Sequence, residues 1–452
     1  MMQALSLQQL ATLLDARLQG DSSQRINHLT FDSRQVQPGS LFVALPGART
    51  DGHRFIPAVR RGKASAALVE HWQADPLPQL KVVSPRRAMG QLAAWNRQLF
   101  SGPVVGVTGN SGKTTVKEML AAVLRAHFGQ VLATAGNLNN DLGMPLTLLK
   151  LQPVHRAAVL ELGANHVGEI DYLAAIARPD IGIITNVTGA HLGEFGSMEA
   201  IASAKGELLA HLEPSGCAVL NAEDHFFDFW QRQVCGEFLS FGLQQGDVRA
   251  ETISLDRFGN PSFEAITPWG RQLVSLQLPG RHNVMNALAV MAAAGRLGVP
   301  LATQAVALNA LQPVSGRLHR INTWGGALLL DDSYNASPGA VRSAIDVLAE
   351  LPGKRLLALG ALAELGEATE RIHRELGDYA RQRGLDGFYT LSGTAALAAE
   401  AYGPDAVIAD DHAALAELLK PVLDADTCLL VKGSRSSAMD KLVALLGRAS
   451  GT

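Results

Sequence analysis

Val104-Val105-Gly106-Val107-Thr108-Gly109-Asn110-Ser111-Gly112-Lys113-Thr114-Thr115 is the stretch on which the fold turns. A β-branched apolar run enters a turn with glycines at 109 and 112, and a helix-forming run opens at Lys113. Glycines let a backbone wrap closely enough for its N–H groups to face phosphate oxygens. The helix start adds partial positive charge. Lys113 can then reach β- and γ-phosphates, and the Thr114 hydroxyl can ligate Mg²⁺. Gly109, Asn110, Ser111, Gly112 and Thr115 complete a candidate nucleotide-binding loop. The common P-loop pattern has a glycine five positions before Gly112, where this chain carries Val107.

On both sides of this loop, short apolar runs alternate with helix-length segments. The runs at 157–162, 181–186 and 217–221 follow it. Such alternation predicts a parallel sheet with helices on both faces. Between about 236 and 280 the helical period disappears, and the alternating stretches 248–255, 261–267 and 271–278 predict an antiparallel insertion. A helix is expected over 281–297, which contains the alanine-rich run 287–294. The segment 312–316 reads as a linker. Beyond it, runs at 327–330, 355–359, 388–391, 406–408 and 427–431 alternate with helices as a second doubly wound unit. Before the loop, an amphipathic N-terminal helix over 1–20 and strands near 41–45, 66–69 and 80–83 suggest a smaller α/β unit. The expected fold is therefore α/β with three domains. They are a small N-terminal α/β domain (1–84), a central mononucleotide-binding domain (85–311) and a C-terminal Rossmann-like domain (317–452).

Three domains suit the length: 452 residues exceed the roughly 250–300 at which single cores stop growing. Apolar residues at 47% and charged residues at 18% describe a packed chain. A net charge of −3 gives no electrostatic footprint for nucleic acid or an anionic membrane. Cys217, Cys235 and Cys428 lack metal-type spacing, which fits a reducing cytoplasm. No run approaches the ~20 apolar residues that span a bilayer, and the N-terminus does not read as a signal peptide. A monomer without membrane insertion is expected.

Two more strand ends carry polar groups. Leu160-Glu161-Leu162-Gly163-Ala164-Asn165-His166 places a carboxylate where an apolar run stops, and Asn186-Val187-Thr188-Gly189-Ala190-His191 places an imidazole. In open parallel sheets the ligand crevice lies at the carboxyl ends of strands. Glu161 and His191 are thus candidate metal ligands beside the phosphate loop. Lys205, in Ala202-Ser203-Ala204-Lys205-Gly206-Glu207, reads on its own as an exposed helical lysine paired with Glu207 or Glu199.

Taken together, the chain resembles the Mur ligase family from about residue 26 to 440. The resemblance rests on Thr108–Thr115, 134–145, 161–166, 278–287, Gly316-Arg317, Asp331-Asp-Ser-Tyr-Asn335 and Val431-Lys-Gly-Ser-Arg-Ser436. The stretches 137–145 and 331–335 point to the members that add D-alanyl-D-alanine. The resemblance implies that Lys113 contacts the transferred phosphate of ATP, and that Thr114 and Glu161 bind one Mg²⁺. His191 and a carbamylated Lys205 would hold a second. This reverses the reading of Lys205 as a surface residue. Asn283 and Asn286, three apart on one helix face, match an adenine-binding region. Arg317 matches an arginine reaching the γ-phosphate from the third domain, and Asp332, Tyr334 and Asn335 match a ribose-side segment. Ser33 and Arg34 match a uridine-nucleotide contact, and Asn137, Asn139 and Asn140 the muramoyl-peptide side. One departure is Ala361, where relatives carry aspartate.

The implied reaction joins D-alanyl-D-alanine to UDP-N-acetylmuramoyl-tripeptide through an acyl phosphate. Domain closure would bring Arg317 to Lys113. Another muramoyl-peptide ligase or a folylpolyglutamate synthase is the alternative within the superfamily. A nucleotide-dependent binding protein that performs no ligation is the alternative outside it.

Overall fold

The computed structural model describes residues 3–47, 50–188, 192–323 and 325–447, with Leu192 described by its backbone alone. The phosphate-loop strand, Val104–Thr108, lies inside a nine-stranded sheet. It pairs in parallel with Ala157–Glu161 on one side and Ile181–Ile184 on the other, and Cys217–Asn221 extends the row. Every residue of these four strands is buried, as expected where helices cover both faces of a parallel sheet. The pleat sorts them by parity. Val105, Val107, Val159, Ile181, Ile183 and Val219 pack with the helices Lys113–Phe128 and Arg281–Arg296. Val104, Ala158, Leu160, Ala218 and Leu220 pack with Pro85–Gln98 and Glu169–Ala177. The alanine-rich run 287–294 is buried throughout, as its composition suggests.

The stretch 236–280 differs in one respect from the expected insertion. Pro261–Thr267 is antiparallel to both of its neighbours, Val248–Leu255 and Gly270–Ser275. They do not form a separate sheet, because Glu237–Gly242 pairs in parallel with both Cys217–Asn221 and Val248–Leu255 and carries the ladder into them.

The C-terminal sheet has six strands, in the order His319–Asn322, Leu328–Asp332, Thr427–Lys432, Lys354–Leu359, Gly387–Leu391, Val407–Ala409. Only the first is antiparallel to its neighbour. The N-terminal sheet has five, Arg17–Gln19, Gln79–Lys81, Ala66–Val69, Ser40–Val43 and His28–Thr30. Here the expected helix is cut short. It covers Leu7–Leu13, capped by Ser6 and Gln9. Asp15 then takes φ +49 and the chain turns into the strand Arg17–Gln19, antiparallel to Gln79–Lys81. The strand expected over 80–83 stops at Lys81, and Val83 is exposed.

Candidate active site

The loop after Val104–Thr108 is held from the neighbouring strand end. Asn110 N–H donates to the Asn186 carbonyl (2.9 Å) and Ser111 N–H to Asn186 Oδ1 (3.0 Å). The Thr185 hydroxyl donates to the Ser111 carbonyl (2.7 Å). Both glycines are needed. Gly109 has φ +134, and a Cβ there would lie 2.0 Å from Thr185 Oγ1; Gly112 has φ +82, and a Cβ there would lie 2.5 Å from Asn286 Oδ1. Left-handed backbone and this crowding together exclude a side chain.

Lys113 opens the helix, and its ammonium donates to the Gly109 and Asn110 carbonyls (2.7 and 3.1 Å). Burial pushes its pKa down, Glu161 pulls it back up, and Arg317 lowers it further. Thr114 is the junction of the site. Its hydroxyl donates to Glu161 Oε2 (2.9 Å) and accepts from Arg317 Nη2 (3.1 Å). Asn139 Nδ2 donates to the other carboxylate oxygen (2.8 Å), so both oxygens of the buried Glu161 are held in place. Oxygen donors from a hydroxyl and a carboxylate are the chemistry that hard cations such as Mg²⁺ prefer.

Lys205 is not the exposed lysine that its local sequence suggests. It is 1% exposed, its ammonium lies 3.5 Å from the Ala164 carbonyl and 5.3 Å from the Phe195 ring centroid, and Glu207 instead accepts from Gly168 and Asp171 N–H groups. Burial first, then the charge of Lys113, lower its pKa to about 7. His191 lies outside the described residues.

Asn283 Nδ2 donates to the Pro279 carbonyl (2.8 Å) and Asn286 Nδ2 to Asn283 Oδ1 (3.0 Å), so the pair presents Asn286 Oδ1 to Gly112. Across the cleft, Arg317 lies 4.7 Å from the Tyr334 ring centroid. Asp332 pairs with Lys432 (2.6 Å), whose ammonium also donates to the Asn335 carbonyl (3.0 Å). The central and C-terminal units touch directly: Ser111 Oγ is 3.3 Å from Ser337 Oγ. Between them is a cleft of about 830 Å³, whose lining includes Asn110–Thr115, Glu161, Asn137, Asn139 and Asn140 from one unit. Arg317, Asp332, Tyr334, Asn335 and Lys432 line it from the other.

Ser33 and Arg34 are not among the lining residues; Arg34 is held on the N-terminal unit by both oxygens of Asp32 (2.9 and 2.8 Å). Ala361 offers only its carbonyl, which accepts from the Ser434 N–H and hydroxyl (3.1 and 2.6 Å). Sequence reasoning assigned no role to Asn186 or Lys432. Lys432 ends a buried strand and Asn186 follows one by two residues, close to the signal that singled out Glu161.

Comparison with known proteins follows the same lines. Residues 25–97 match the Mur ligase family, catalytic domain; 107–294 the Mur ligase middle domain; and 316–435 the Mur ligase, glutamate ligase domain. The chain is 41% identical over 447 residues, 98% of each chain, to the UDP-N-acetylmuramoyl-tripeptide--D-alanyl-D-alanine ligase of Escherichia coli K12. A crystal structure of MurF from Acinetobacter baumannii superposes with a TM-score of 0.93 at 35% identity, covering 98% of both chains. MurF ligase from Thermotoga maritima in complex with ADP gives 0.84 at 31% identity, over 92% of this chain and 96% of that one.

Proposed function

The chain belongs to the Mur ligase family, and we propose that it joins D-alanyl-D-alanine to UDP-N-acetylmuramoyl-tripeptide with ATP as the energy source. The observation that carries this reading is the Thr114 hydroxyl, which is bonded at once to Glu161 in the central unit and to Arg317 in the C-terminal one. A phosphate group seated on the loop would meet a strand-end carboxylate, a loop lysine and an arginine from the facing unit. That set serves phosphoryl transfer to an acid.

The tripeptide's terminal carboxylate oxygen attacks the γ-phosphorus, the β–γ bridging P–O bond breaks, and ADP leaves. Lys113 and Arg317 offset the charge where two anions meet. The amine nitrogen of D-alanyl-D-alanine then attacks the acyl carbon; the C–O bond to phosphate breaks and the nitrogen loses its proton. Thr114 and Glu161 would hold Mg²⁺, which would neutralise phosphate charge when bound. His191 and a carbamylated Lys205 are the proposed ligands of a second ion. Asn283 and Asn286 would hold the adenine, and Asp332, Tyr334 and Asn335 the ribose. Asn137, Asn139 and Asn140 would meet the muramoyl peptide, and Ser33 with Arg34 the uridine nucleotide. The proposed units are 1–84, 85–311 and 317–452.

The proposed compartment is the cytoplasm, where ATP is supplied, and the proposed state is a monomer, checked by light scattering. No helix among the described residues is long and apolar enough to cross a membrane. Phosphate release is the functional test, with each of three components omitted in turn. It should require ATP, the UDP-linked tripeptide and D-alanyl-D-alanine together. Equal release with L-amino acids or glutamate as the amine would sink this reading.

A further inference from the structure

The segment 360–366 crosses from the C-terminal sheet to the central unit. Its start is tied to the strand Thr427–Lys432: Gly360 N–H donates to the Lys432 carbonyl (2.8 Å), and the Ala361 carbonyl accepts twice from Ser434. Its far end rests on the central unit, where Gly366 packs so closely on Gly193 that a Cβ at 193 would lie 2.8 Å from Gly366 N. Between these ties Glu364 takes φ +61, a backbone region that non-glycine residues avoid. A strained segment keeps one shape only where its surroundings hold it.

Its middle is bonded by His373, on the helix Thr369–Gln382 and fully buried, beside the core packing of Leu362 and Leu365. His373 Nδ1 is 2.7 Å from the Thr369 carbonyl, and Nε2 is 3.1 Å from Leu362 N. A carbonyl only accepts, so Nδ1 carries the proton and Nε2 accepts from Leu362 N–H. The imidazole therefore spans the first turn of its own helix and the segment opposite, in one tautomer.

Ala363, Glu364 and Leu365 line the cleft together with Ser434, Arg435 and Ser436. In the reading proposed above, the loop side of the cleft holds the nucleotide and the 137–140 side the muramoyl peptide. The wall made of 363–365 and 434–436 faces the same cleft with no ligand yet assigned to it, and the Ala361–Ser434 hydrogen bonds make it one unit.

We propose that His373 is a positioning residue for the incoming D-alanyl-D-alanine, holding the 362–365 wall of the cleft through Leu362 N–H; this rests on the ligase reading above. His373 touches no reacting atom. Replacing it with a residue that lacks the acceptor leaves a buried N–H unpaired and frees the wall.

The test is steady-state phosphate release by the full-length enzyme carrying His373→Leu or His373→Gln. Glutamine's amide oxygen reaches the position of Nε2, whereas leucine fills the space without accepting. For His373→Leu the KM for D-alanyl-D-alanine should rise about tenfold, with the KM for ATP within about twofold of wild type, and His373→Gln should restore most of the difference. A purely structural role would raise both constants together or lower only the yield. Unchanged dipeptide KM in His373→Leu, or a parallel rise for ATP, overturns the proposal. Should the leucine variant not fold, His373→Asn replaces it, since its amide oxygen stops at the level of Nδ1, and the same comparison with glutamine decides. A wild-type enzyme whose phosphate release ignores the dipeptide overturns the ligase reading itself, and this inference with it.

Discussion

At the scale of single residues, burial assigns roles that spacing does not. Lys205 and its exposed neighbour Glu199 share the helix Met198–Gly206, yet only the lysine is enclosed. An ammonium stripped of water beside Lys113 is unfavourable unless it is modified or neutral. Lys205→Met should therefore cost turnover about 100-fold or more without lowering Tm, because the change removes a buried amine and keeps the volume; thermal melts and phosphate release read the two effects separately. A large drop in Tm would make Lys205 a structural residue instead. His373, also lowered by burial, gives the fold a pH dependence. Burial lowers its pKa from the usual 6.5, against a smaller upward pull from the Thr369 carbonyl. A lowered histidine pKa means that the unfolded chain binds the proton more readily than the fold. The stability it contributes is then present above about pH 6.5 and is lost as pH falls through the folded value. The Tm difference between wild type and His373→Gln should shrink from pH 7.5 to pH 5.5; an unchanged difference would show that the imidazole does not titrate between fold and unfolded chain.

At the scale of elements, the wholly buried strands were legible, and strands with a short or broken apolar pattern were missed. The runs that became Cys217–Asn221, Ala157–Glu161 and Thr427–Lys432 are uninterrupted apolar stretches because both faces are covered. Val131–Ala133 and Glu237–Gly242 escaped notice: the first is a three-residue edge strand, and the second begins with exposed and half-buried residues, so neither carries a strong apolar pattern. The N-terminal helix was read too long because the turn at Asp15 rests on backbone conformation, which leaves little mark on composition. The site was legible wherever a polar residue ended a buried strand, as at Glu161. It was illegible at Lys205 until the family pattern was recognised, since enclosure by Phe195 and Ala164 depends on elements distant in sequence. Contact between elements also makes a prediction. Gly193 on the helix Leu192–Phe195 meets Gly366 with no room for a methyl group. Gly193→Ala should push 365–366 away from the central unit and lower kcat/KM for the dipeptide on the order of 10- to 100-fold, since small misplacements at a reacting site are costly. ATP affinity, measured by titration, should hold, and an equal loss of both would mean that the contact supports the fold and not the site.

At the scale of the whole molecule, the proposed catalytic constellation belongs to no single unit. Glu161 ends a strand of the nine-stranded sheet, Lys113 and Thr114 open the helix that follows the neighbouring strand, and Arg317 stands just past the linker, before the C-terminal sheet. The linker is not slack where it matters: Gly316 N–H donates to Asp331 Oδ2 (3.0 Å) and Leu318 N–H to Asp332 Oδ1 (3.2 Å), so both neighbours of Arg317 are pinned to the end of the strand Leu328–Asp332. The C-terminal unit therefore carries the Arg317 backbone with it, and separation of the two units would draw Arg317 away from Thr114. Chemistry that passes through an acyl phosphate would gain from such an arrangement, because closure would exclude water as it brings the proposed charge-stabilising group into place. Arg317→Ala should leave ATP affinity within a few-fold of wild type, since the loop backbone, Lys113 and the Asn283–Asn286 pair remain. Turnover should fall on the order of 10²- to 10³-fold, about 3–4 kcal/mol of transition-state stabilisation. Arg317→Lys should recover only part of this, because a lysine ammonium lacks the planar fork that can serve Thr114 Oγ1 and a phosphate oxygen together. Isothermal titration with a non-hydrolysable ATP analogue and single-turnover phosphate release separate binding from chemistry. Wild-type turnover in the alanine variant would mean that the two units meet for packing alone, and the coupling of closure to catalysis would have to be abandoned.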